Sequence, residues 1–177
     1  KRGLRPVLPV NNDGTIKTTA ITPVYTFTEE TILPEAFEIT YVSLADRQLF
    51  VPQITWRQQL EDDAGIIRTA EVCYVDKTTN GPYESHDLSA FCTSETHAVK
   101  VGAYILAKRA YTSHAVRFTA RPEAHNSVIT PGDIIRVKML RQAAGYTSVS
   151  HDYLYQVERI TKTFLGHVSY ECTHFPV

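Results

Sequence analysis

The sequence predicts a mainly β fold of the α+β class: an antiparallel sheet or β-barrel-like domain with one amphipathic helix, at about residues 94–110, packed on the sheet. Apolar and polar residues alternate along most of the chain, as they do in half-buried strands. Turn-forming residues separate these alternating segments at short intervals. One segment alone has the apolar spacing of an amphipathic helix.

The N-terminal 33 residues predict an extended arm or an incomplete strand region. This region contains three prolines, and the sequence NNDG at 11–14 is a turn signal. We expect residues 34–177 to form the β-rich region. A division into two subdomains near 77–86 is an open alternative, because the sequence NGP there is a loop signal. Since the chain lacks an initial methionine and ends on a strand-like segment, we also expect it to be a piece of a longer polypeptide.

Alternation becomes clear over residues 37–41, where the sequence FEITY predicts a half-buried strand. Residues 54–60 predict a second strand. Residues 68–75 are β-branched and aromatic enough for a third, with EDDAG at 61–65 as the connection. A short helix over 57–63 is an alternative that the sequence leaves open.

The predicted helix has favourable residues at both ends. Ser94 is a good N-cap, and Glu95 lies in the first turn, where the helix dipole favours a negative charge. Lys108 and Arg109 lie in the last turn, where a positive charge is favoured. A single apolar stripe is therefore expected to pack on the sheet, with the helix-packing residues Ala98, Val101, Gly102, Ile105 and, beside them, Leu106.

Strands dominate the C-terminal third of the chain. Residues 116–121 alternate between apolar and basic or polar side chains, and residues 135–139 do the same. Before the second of these strands, the sequence predicts a structural turn in which proline pre-sets the first central position and glycine accepts a positive φ. Residues 152–160 and 167–175 predict a hairpin. The predicted turn consists of Pro131, Gly132 and Asp133.

Composition argues against several classes of function. The formal net charge of −1 gives no electrostatic footprint for nucleic acid, and no apolar run approaches the length of a membrane span. The three cysteines, Cys73, Cys92 and Cys172, are odd in number and widely spaced. We interpret them as reduced, mostly buried thiols.

The motifs of the common enzyme classes are absent from the sequence, including the phosphate-binding glycine loops, the G-x-S-x-G turn and the H-E-x-x-H zinc motif. The acidic residues at 61–63 are more consistent with a solvated loop tip than with a pair of catalytic carboxylates. Cys92 precedes the helix and lies near His97, but its apolar neighbours favour a buried structural thiol. We therefore expect no catalytic, cofactor-binding or metal-binding residues.

The stretch DLSAFCTSETHAVKVGAYILAKRAYTSHAVRFTARPEAHNSVITPGDIIRVKML, residues 87–140, resembles a segment of phage tail-tip and baseplate-hub proteins. This group includes the host-specificity protein of lambda-like phages and tail proteins encoded by many prophages. The shared order is an acidic residue, a turn like AFCTS, an alanine-rich helix, a strand, and then PGD with an I-x-V strand. The similarity extends with less specific features over residues 34–177.

The resemblance implies a structural role in the virion tail, in assembly and host attachment, without catalysis. It implies a parent protein that self-associates as a trimer, contacts other tail proteins and is assembled in the bacterial cytoplasm. A host surface receptor is a further candidate partner, whereas nucleic acid and membrane spans are not expected. The resemblance also implies that the Pro131-Gly132-Asp133 turn is a corner of the hub's β-domain, with no chemistry attached to it.

Two other classes of function remain open from the residues. A carbohydrate- or receptor-binding β-module would be favoured by exposure of Trp56, Tyr153 and Tyr155, because aromatic surfaces bind such ligands. A hydrolase domain would need the acidic residues at 61–63, or Cys92 with a histidine, to converge in one cleft.

Overall fold

The structure, a computed structural model, describes residues 8–11, 14–17, 20–47, 50–60, 63–71, 82–124, 128–142, 148–163 and 165–176. It confirms the mainly β fold with a single helix packed on a sheet. No helix in these ranges is long and apolar enough to cross a membrane. The elements are β1 (Thr26–Thr28), β2 (Ile32–Tyr41), β3 (Val51–Leu60), β4 (Asp63–Glu71), β5 (Tyr83–Asp87), α1 (Glu95–Tyr111), β6 (His114–Ala120), a short 3-10 helix (Pro122–Ala124), β7 (Ile134–Gln142), β8 (Ser148–Lys162) and β9 (Val168–His174).

The chain forms two compact units, each interrupted in sequence by the other. Unit 1 contains residues 20–42 and 112–177, and unit 2 contains residues 8–19 and 43–111. The predicted division near 77–86 falls partly outside the described residues and stays a prediction, as does the separate N-terminal arm.

Unit 1 is a six-stranded sheet, curled into a half-barrel, in the order β1-β7-β8-β9-β6-β2. Every pair is antiparallel except β1 with β7, which is parallel. The short connections from β7 to β8 and from β8 to β9 favour antiparallel neighbours, whereas β1 reaches the sheet edge from the N-terminal region, so its direction is not constrained by a hairpin.

Period-two alternation builds the core of unit 1. Along β6 and β9, every second side chain is buried on the concave face. Three aromatic rings meet at its centre: the Phe27 centroid lies 4.9 Å from that of Phe118 and 5.0 Å from that of Tyr170. Complete burial of one such ring stabilises the fold by about 1.5–3 kcal/mol. The other buried residues of this core are Ile32, Val116, Ala120, Ile129, Ile135, Val137, Tyr155, Val157, Val168 and Cys172.

Unit 2 is a three-stranded sheet in the order β4-β3-β5, with α1 packed against β3 and β4. Its core joins Phe50, Ile54 and Trp56 to small residues of the helix. The most buried helix positions are Ala98, Gly102, Ala103, Leu106 and Ala107. The predicted Val101 and Ile105 are half-buried at the margin of this core, because small side chains allow the helix axis to lie closest to the sheet at the alanines.

Two local expectations about β3 and β4 differ from the structure. The alternative helix over 57–63 is wrong, since residues 57–60 continue β3 and pair with β4, with a register shift between Gln58 and Leu60. The connection expected at 61–65 is shorter, because β4 already begins at Asp63. The β-branched residues Ile66 and Ile67 extend the hairpin, and cross-strand pairing outweighs the weak strand preference of the preceding alanine and glycine.

Glu35 has a backbone φ of 60°, which is unusual for a residue with a side chain. It lies where the register of β2 against β6 shifts between Ile32 and Phe37. An L-residue in the left-handed region costs about 1–2 kcal/mol, which glycine avoids. The shift therefore stores backbone strain at an exposed position.

We expect Glu35→Gly to raise the free energy of unfolding by about 1 kcal/mol, because it relieves this strain. Urea unfolding measures the change. Thr40→Gly in the same strand is the matched control, since its side chain is also exposed but its backbone is extended. The control should lower stability by about 0.5–1 kcal/mol. Equal losses in both variants would contradict the assignment of strain to Glu35.

Candidate functional site

A cluster of histidine and tyrosine side chains closes one end of the concave face of unit 1. Strand register brings them to the same level: Tyr41 on β2 pairs with His114 on β6, and His174 on β9 pairs with Tyr155 on β8. The β6–β9 register places Ala115 opposite Thr173, so His114 and His174 are neighbours. Because the sheet is curled, inward side chains of strands that are not adjacent also converge.

A continuous series of hydrogen bonds joins five of these side chains. The Tyr155 hydroxyl lies 2.7 Å from His151 Nε2 and 2.6 Å from His114 Nε2. His114 Nδ1 lies 2.7 Å from Ser113 Oγ, which in turn lies 3.3 Å from His174 Nδ1. We call this series, His151–Tyr155–His114–Ser113–His174, the histidine–tyrosine chain.

Burial determines the charge states of His114 and Tyr155 in this series. His114 is 4% exposed, and desolvation lowers the pKa of its imidazole below the usual value. Burial also raises the pKa of Tyr155, well above that of an exposed tyrosine. At neutral pH His114 is therefore uncharged and Tyr155 keeps its proton.

Ring packing supports the hydrogen bonds. The imidazoles of His114 and His174 stack, with centroids 4.6 Å apart and planes inclined by 18°. The Tyr153 ring lies edge-on to both, at 5.2 Å from His114 and 5.5 Å from His174. Tyr41 is 71% exposed and Tyr153 is 44% exposed, so these two tyrosines form the solvent-facing side of the cluster.

The pair Ser113 and His114 has the spacing of a nucleophile and a general base. Catalytic histidines are oriented by a third group that stabilises the imidazolium, usually a carboxylate. Here the third group is the neutral hydroxyl of Tyr155, which cannot neutralise a positive imidazole. In this arrangement a hydroxyl therefore occupies the place where hydrolases usually have a carboxylate.

The cluster is also poorly suited to a metal ion. The Nε2 atoms of His114 and His151 converge, but the point where they meet holds the Tyr155 hydroxyl, whose pKa is raised. Within the described residues, no group of three or more histidine, cysteine, aspartate or glutamate side chains could hold a metal.

The side chains considered for hydrolysis lie in unrelated surroundings. Cys92 is buried and donates its thiol to the Ser94 carbonyl at 3.4 Å, whereas His97 is exposed on α1. Residues 61 and 62, and the side chain of Asp63, lie outside what the structure describes. Cys73 lies outside it as well. Cys172 is buried, and burial raises the pKa of its thiol, so little reactive thiolate forms.

The aromatic residues considered for ligand binding are mostly internal. Trp56 is 3% exposed in the core of unit 2, and Tyr155 is fully buried in unit 1. Of the three, Tyr153 alone has a substantial exposed fraction, 44%. Their burial counts against an aromatic binding platform made of Trp56 and Tyr155.

The turn before β7 is held by backbone and side-chain hydrogen bonds. Gly132 has φ of 98°, and the Asp133 amide donates to the Thr130 carbonyl at 3.1 Å. The Asp133 carboxylate accepts from the Thr130 amide at 2.7 Å. The Gly132 amide donates to the Val157 carbonyl, which anchors the turn to β8. Pro131 is exposed at its tip, and the contacts of the turn are structural.

The outer face of unit 1 carries charges of both signs. Arg136 makes two hydrogen bonds to Asp152, at 2.6 and 2.7 Å. This pairing lowers the pKa of the aspartate and raises that of the arginine. The Glu171 carboxylate lies 4.0 Å from both Arg117 and Arg159. A groove of about 410 Å³ lies beside the Arg136–Asp152 pair.

None of these histidines was predicted as a site residue from the sequence. A signal was present, because His114 shares the alternation of Val116 and Phe118, and His151 shares that of Tyr155. Alternation shows that these side chains face inward. It cannot show that β6 and β8, with β9 between them, curl enough for the side chains to meet.

Comparison with known proteins identifies similar folds. No family model and no curated protein matches the chain in sequence. A chain in the virion of a native gene transfer agent particle is similar in structure, with a TM-score of 0.63 and 14% identity over 90% of this chain. A tail protein from Neisseria meningitidis MC58 has a TM-score of 0.47 and 13% identity over 87%. The 43 kDa tail protein of prophage MuSo2 from Shewanella oneidensis has a TM-score of 0.42 and 12% identity over 87% of this chain.

The first of these similarities establishes a shared fold, because its TM-score of 0.63 is high although only 14% of the residues are identical. The chain covers 33% of that virion chain, 44% of the Neisseria protein and 45% of the Shewanella protein. It therefore spans less than half the length of each of these three proteins.

We expect Tyr155→Phe to lower the free energy of unfolding of unit 1 by about 1–3 kcal/mol, because two buried imidazoles lose their shared hydroxyl partner. Tyr153→Phe is the control, since it removes the same atom from a side chain that is 44% exposed. The control should change stability by less than about 0.5 kcal/mol. Urea unfolding followed by near-UV circular dichroism measures both, and equal effects would contradict the importance of the buried hydroxyl.

Proposed function

We propose that the chain is part of a structural protein of a phage or prophage tail tip, the baseplate hub, and acts in tail assembly and host attachment without catalysis. The observation that carries this proposal is the fold shared over 90% of the chain with a protein of a gene transfer agent virion. The resemblance of residues 87–140 to tail-tip and baseplate-hub proteins is a second, sequence-based reason.

The sheets are suited to assembly through their edges. β1 and β2 end the six-stranded sheet, and β4 and β5 end the three-stranded sheet. An edge strand has backbone N–H and C=O groups on one side that can pair with another chain. β2 and β4 are long enough, at ten and nine residues, for such pairing to be strong.

Exposed apolar side chains on β4 support the proposal that this edge forms a contact in the assembled state. Ile66 is 41% exposed and Ile67 is 61% exposed. They are consecutive in a strand, so they point to opposite faces of the hairpin. Exposed apolar groups beside an unprotected edge favour association, and in a soluble monomer such edges are usually blocked by charge or proline.

The proposal includes self-association of the parent protein as a trimer and contacts with other tail proteins. Its location would be the virion tail, with assembly in the bacterial cytoplasm and a host surface receptor as a further partner. A carbohydrate-binding module is less well supported, because Trp56 and Tyr155 are buried. A hydrolase is less well supported because the group that follows Ser113 and His114 is the hydroxyl of Tyr155, where hydrolases usually have a carboxylate.

We expect light scattering over a concentration series to give the mass of a trimer. We expect Ile67→Lys to raise the dissociation constant of this trimer at least tenfold, which shifts the protein towards the monomer. A lysine that is buried in an interface without a partner is costly, and a tenfold change corresponds to about 1.4 kcal/mol. The variant should fold normally, because the isoleucine is mainly exposed in the single chain.

Leu165→Lys is the matched control, because Leu165 is an exposed apolar residue in the β8–β9 turn and not on a sheet edge. It should leave the mass unchanged. A monomer at all concentrations would count against self-association through these residues. A trimer that is equally stable in Ile67→Lys would exclude the β4 edge as the contact.

A further inference from the structure

The outward side of β2 follows from its hydrogen bonds to β6. The Val42 amide donates to the Ser113 carbonyl at 3.0 Å, so the backbone groups of Val42 face β6. Backbone groups of successive residues in a strand point alternately to its two sides. Because the pairing with β6 is regular from Phe37 to Tyr41, the amides and carbonyls of Ile39 and Tyr41 point away from β6. Among the described residues, no strand pairs with β2 on that side.

The outward side of β4 follows in the same way from the neighbours of β3. The Leu88 amide donates to the Thr55 carbonyl at 2.7 Å, so Thr55 faces β5 and the adjacent Trp56 faces β4. Trp56 lies opposite Arg68 in the antiparallel pair, so the backbone groups of Arg68 face β3. Those of the preceding Ile67 therefore point away from β3. In the part of the chain that the structure describes, β4 also has one neighbouring strand only.

The side chains of the two edges are complementary in charge. Glu38 on β2 and Arg68 on β4 are both exposed, and neither forms an ion pair within the described residues. Arg117 lies opposite Glu38 on β6, but its ion pair is with a carboxylate of β9. Next to each charge is an isoleucine whose backbone groups point outwards. Ile39 is half-buried at the margin of the unit 1 core, and Ile67 is 61% exposed.

Hydrogen bonding and charge together select one register between these edges. In an antiparallel pair, residues whose backbone groups face the partner strand lie opposite one another, as Ile39 and Ile67 then do. This register places Glu38 opposite Arg68, whereas a shift by two residues in either direction places Glu38 opposite an uncharged residue. In a parallel pair, a residue that faces the partner strand aligns with one that faces away. Glu38 and Arg68 both face away, so parallel strands would not bring them opposite each other.

We propose that the β2 edge of one copy of the chain pairs antiparallel with the β4 edge of a second copy, with Glu38 opposite Arg68 and Ile39 opposite Ile67. This inference rests on the self-association proposed above and names the contact that produces it. Because two different edges meet, the contact is head-to-tail, and its repetition closes a ring when the rotation between copies permits. In a closed trimer every β2 edge and every β4 edge is paired.

The side chains of this contact give it a defined register. Ile67, which is mainly exposed in the single chain, gains Ile39 directly across the interface. Opposite charges directly across two strands attract, whereas like charges in that position repel. Backbone pairing thus contributes affinity, and the isoleucine pair and the ion pair decide which residues meet.

The first test reverses each charge and follows the mass of the whole chain by light scattering over a concentration series. Glu38→Arg and Arg68→Glu should each raise the dissociation constant of the trimer about tenfold, because like charges then face each other. The two changes combined restore opposite charges, and should return the constant to within about twofold of the native value. Glu30→Arg is the matched control, because it reverses an exposed carboxylate that lies in the β1–β2 turn, off the edge strand. It should leave the trimer unchanged.

The second test links the two edges covalently. In this register Thr40 lies opposite Ile66 in a non-hydrogen-bonded pair, with Cα atoms about 4.5 Å apart, a distance that a disulfide can span. Both side chains are exposed in the single chain, so replacing them should not disturb folding. Thr40→Cys combined with Ile66→Cys should form disulfide-linked trimers with oxidised glutathione. Thr40→Cys combined with Thr69→Cys is the control, because this register separates the two positions, and single-cysteine variants account for the native cysteines.

The outcomes separate the contact from self-association itself. A trimer whose dissociation constant is unchanged by both charge reversals, or is not recovered by their combination, would overturn the pairing of β2 with β4. A trimer that forms no disulfide between Thr40→Cys and Ile66→Cys would overturn it as well, and both results leave self-association intact. A native chain that stays monomeric at every concentration would instead refute self-association, and the contact with it.

Discussion

The long strand β8 is the constraint on which the structure of unit 1 depends. It spans 15 residues and pairs with β7 along one side and with β9 along the other. Its register decides which side chains face the concave core, because a shift by one residue would exchange the buried and exposed faces. Two features hold that register: the bonds from the Gly132 turn to Val157, and the irregularity between Val157 and Arg159 that adjusts the pairing with β9.

The inward face of β8 carries both apolar and polar groups, and they serve different purposes. Val157 belongs to the apolar core, where close packing provides most of the stabilisation. Tyr155 and His151 lie towards the other end, where hydrogen bonds must compensate for lost hydration. Such a network contributes less than an apolar core of equal volume, but it is sensitive to the protonation of its members.

An assembly role is consistent with how the molecule distributes its polar groups. The outer face of unit 1 combines Arg136 with Asp152 and groups Arg117 and Arg159 about Glu171, so no large area of one sign is presented there. Among the described residues, the end strands of both sheets have a neighbouring strand on one side only, and edges of this kind can pair with other strands with little dependence on sequence.

The sequence alone determined the fold class, the position of α1 and the strands of the C-terminal third, because these depend on local periodicity and on turn residues. Alternation in β6 and β9 and the stripe on α1 are visible in any single segment. Sequence could not show that β1 joins β7 in parallel or that β2 lies beside β6, since contacts between distant segments leave no local pattern. The tertiary structure alone decided that His114, His151 and His174 meet around Tyr155 and Ser113. Their meeting depends on register and on the curl of the sheet, which arise from the packing of all six strands together.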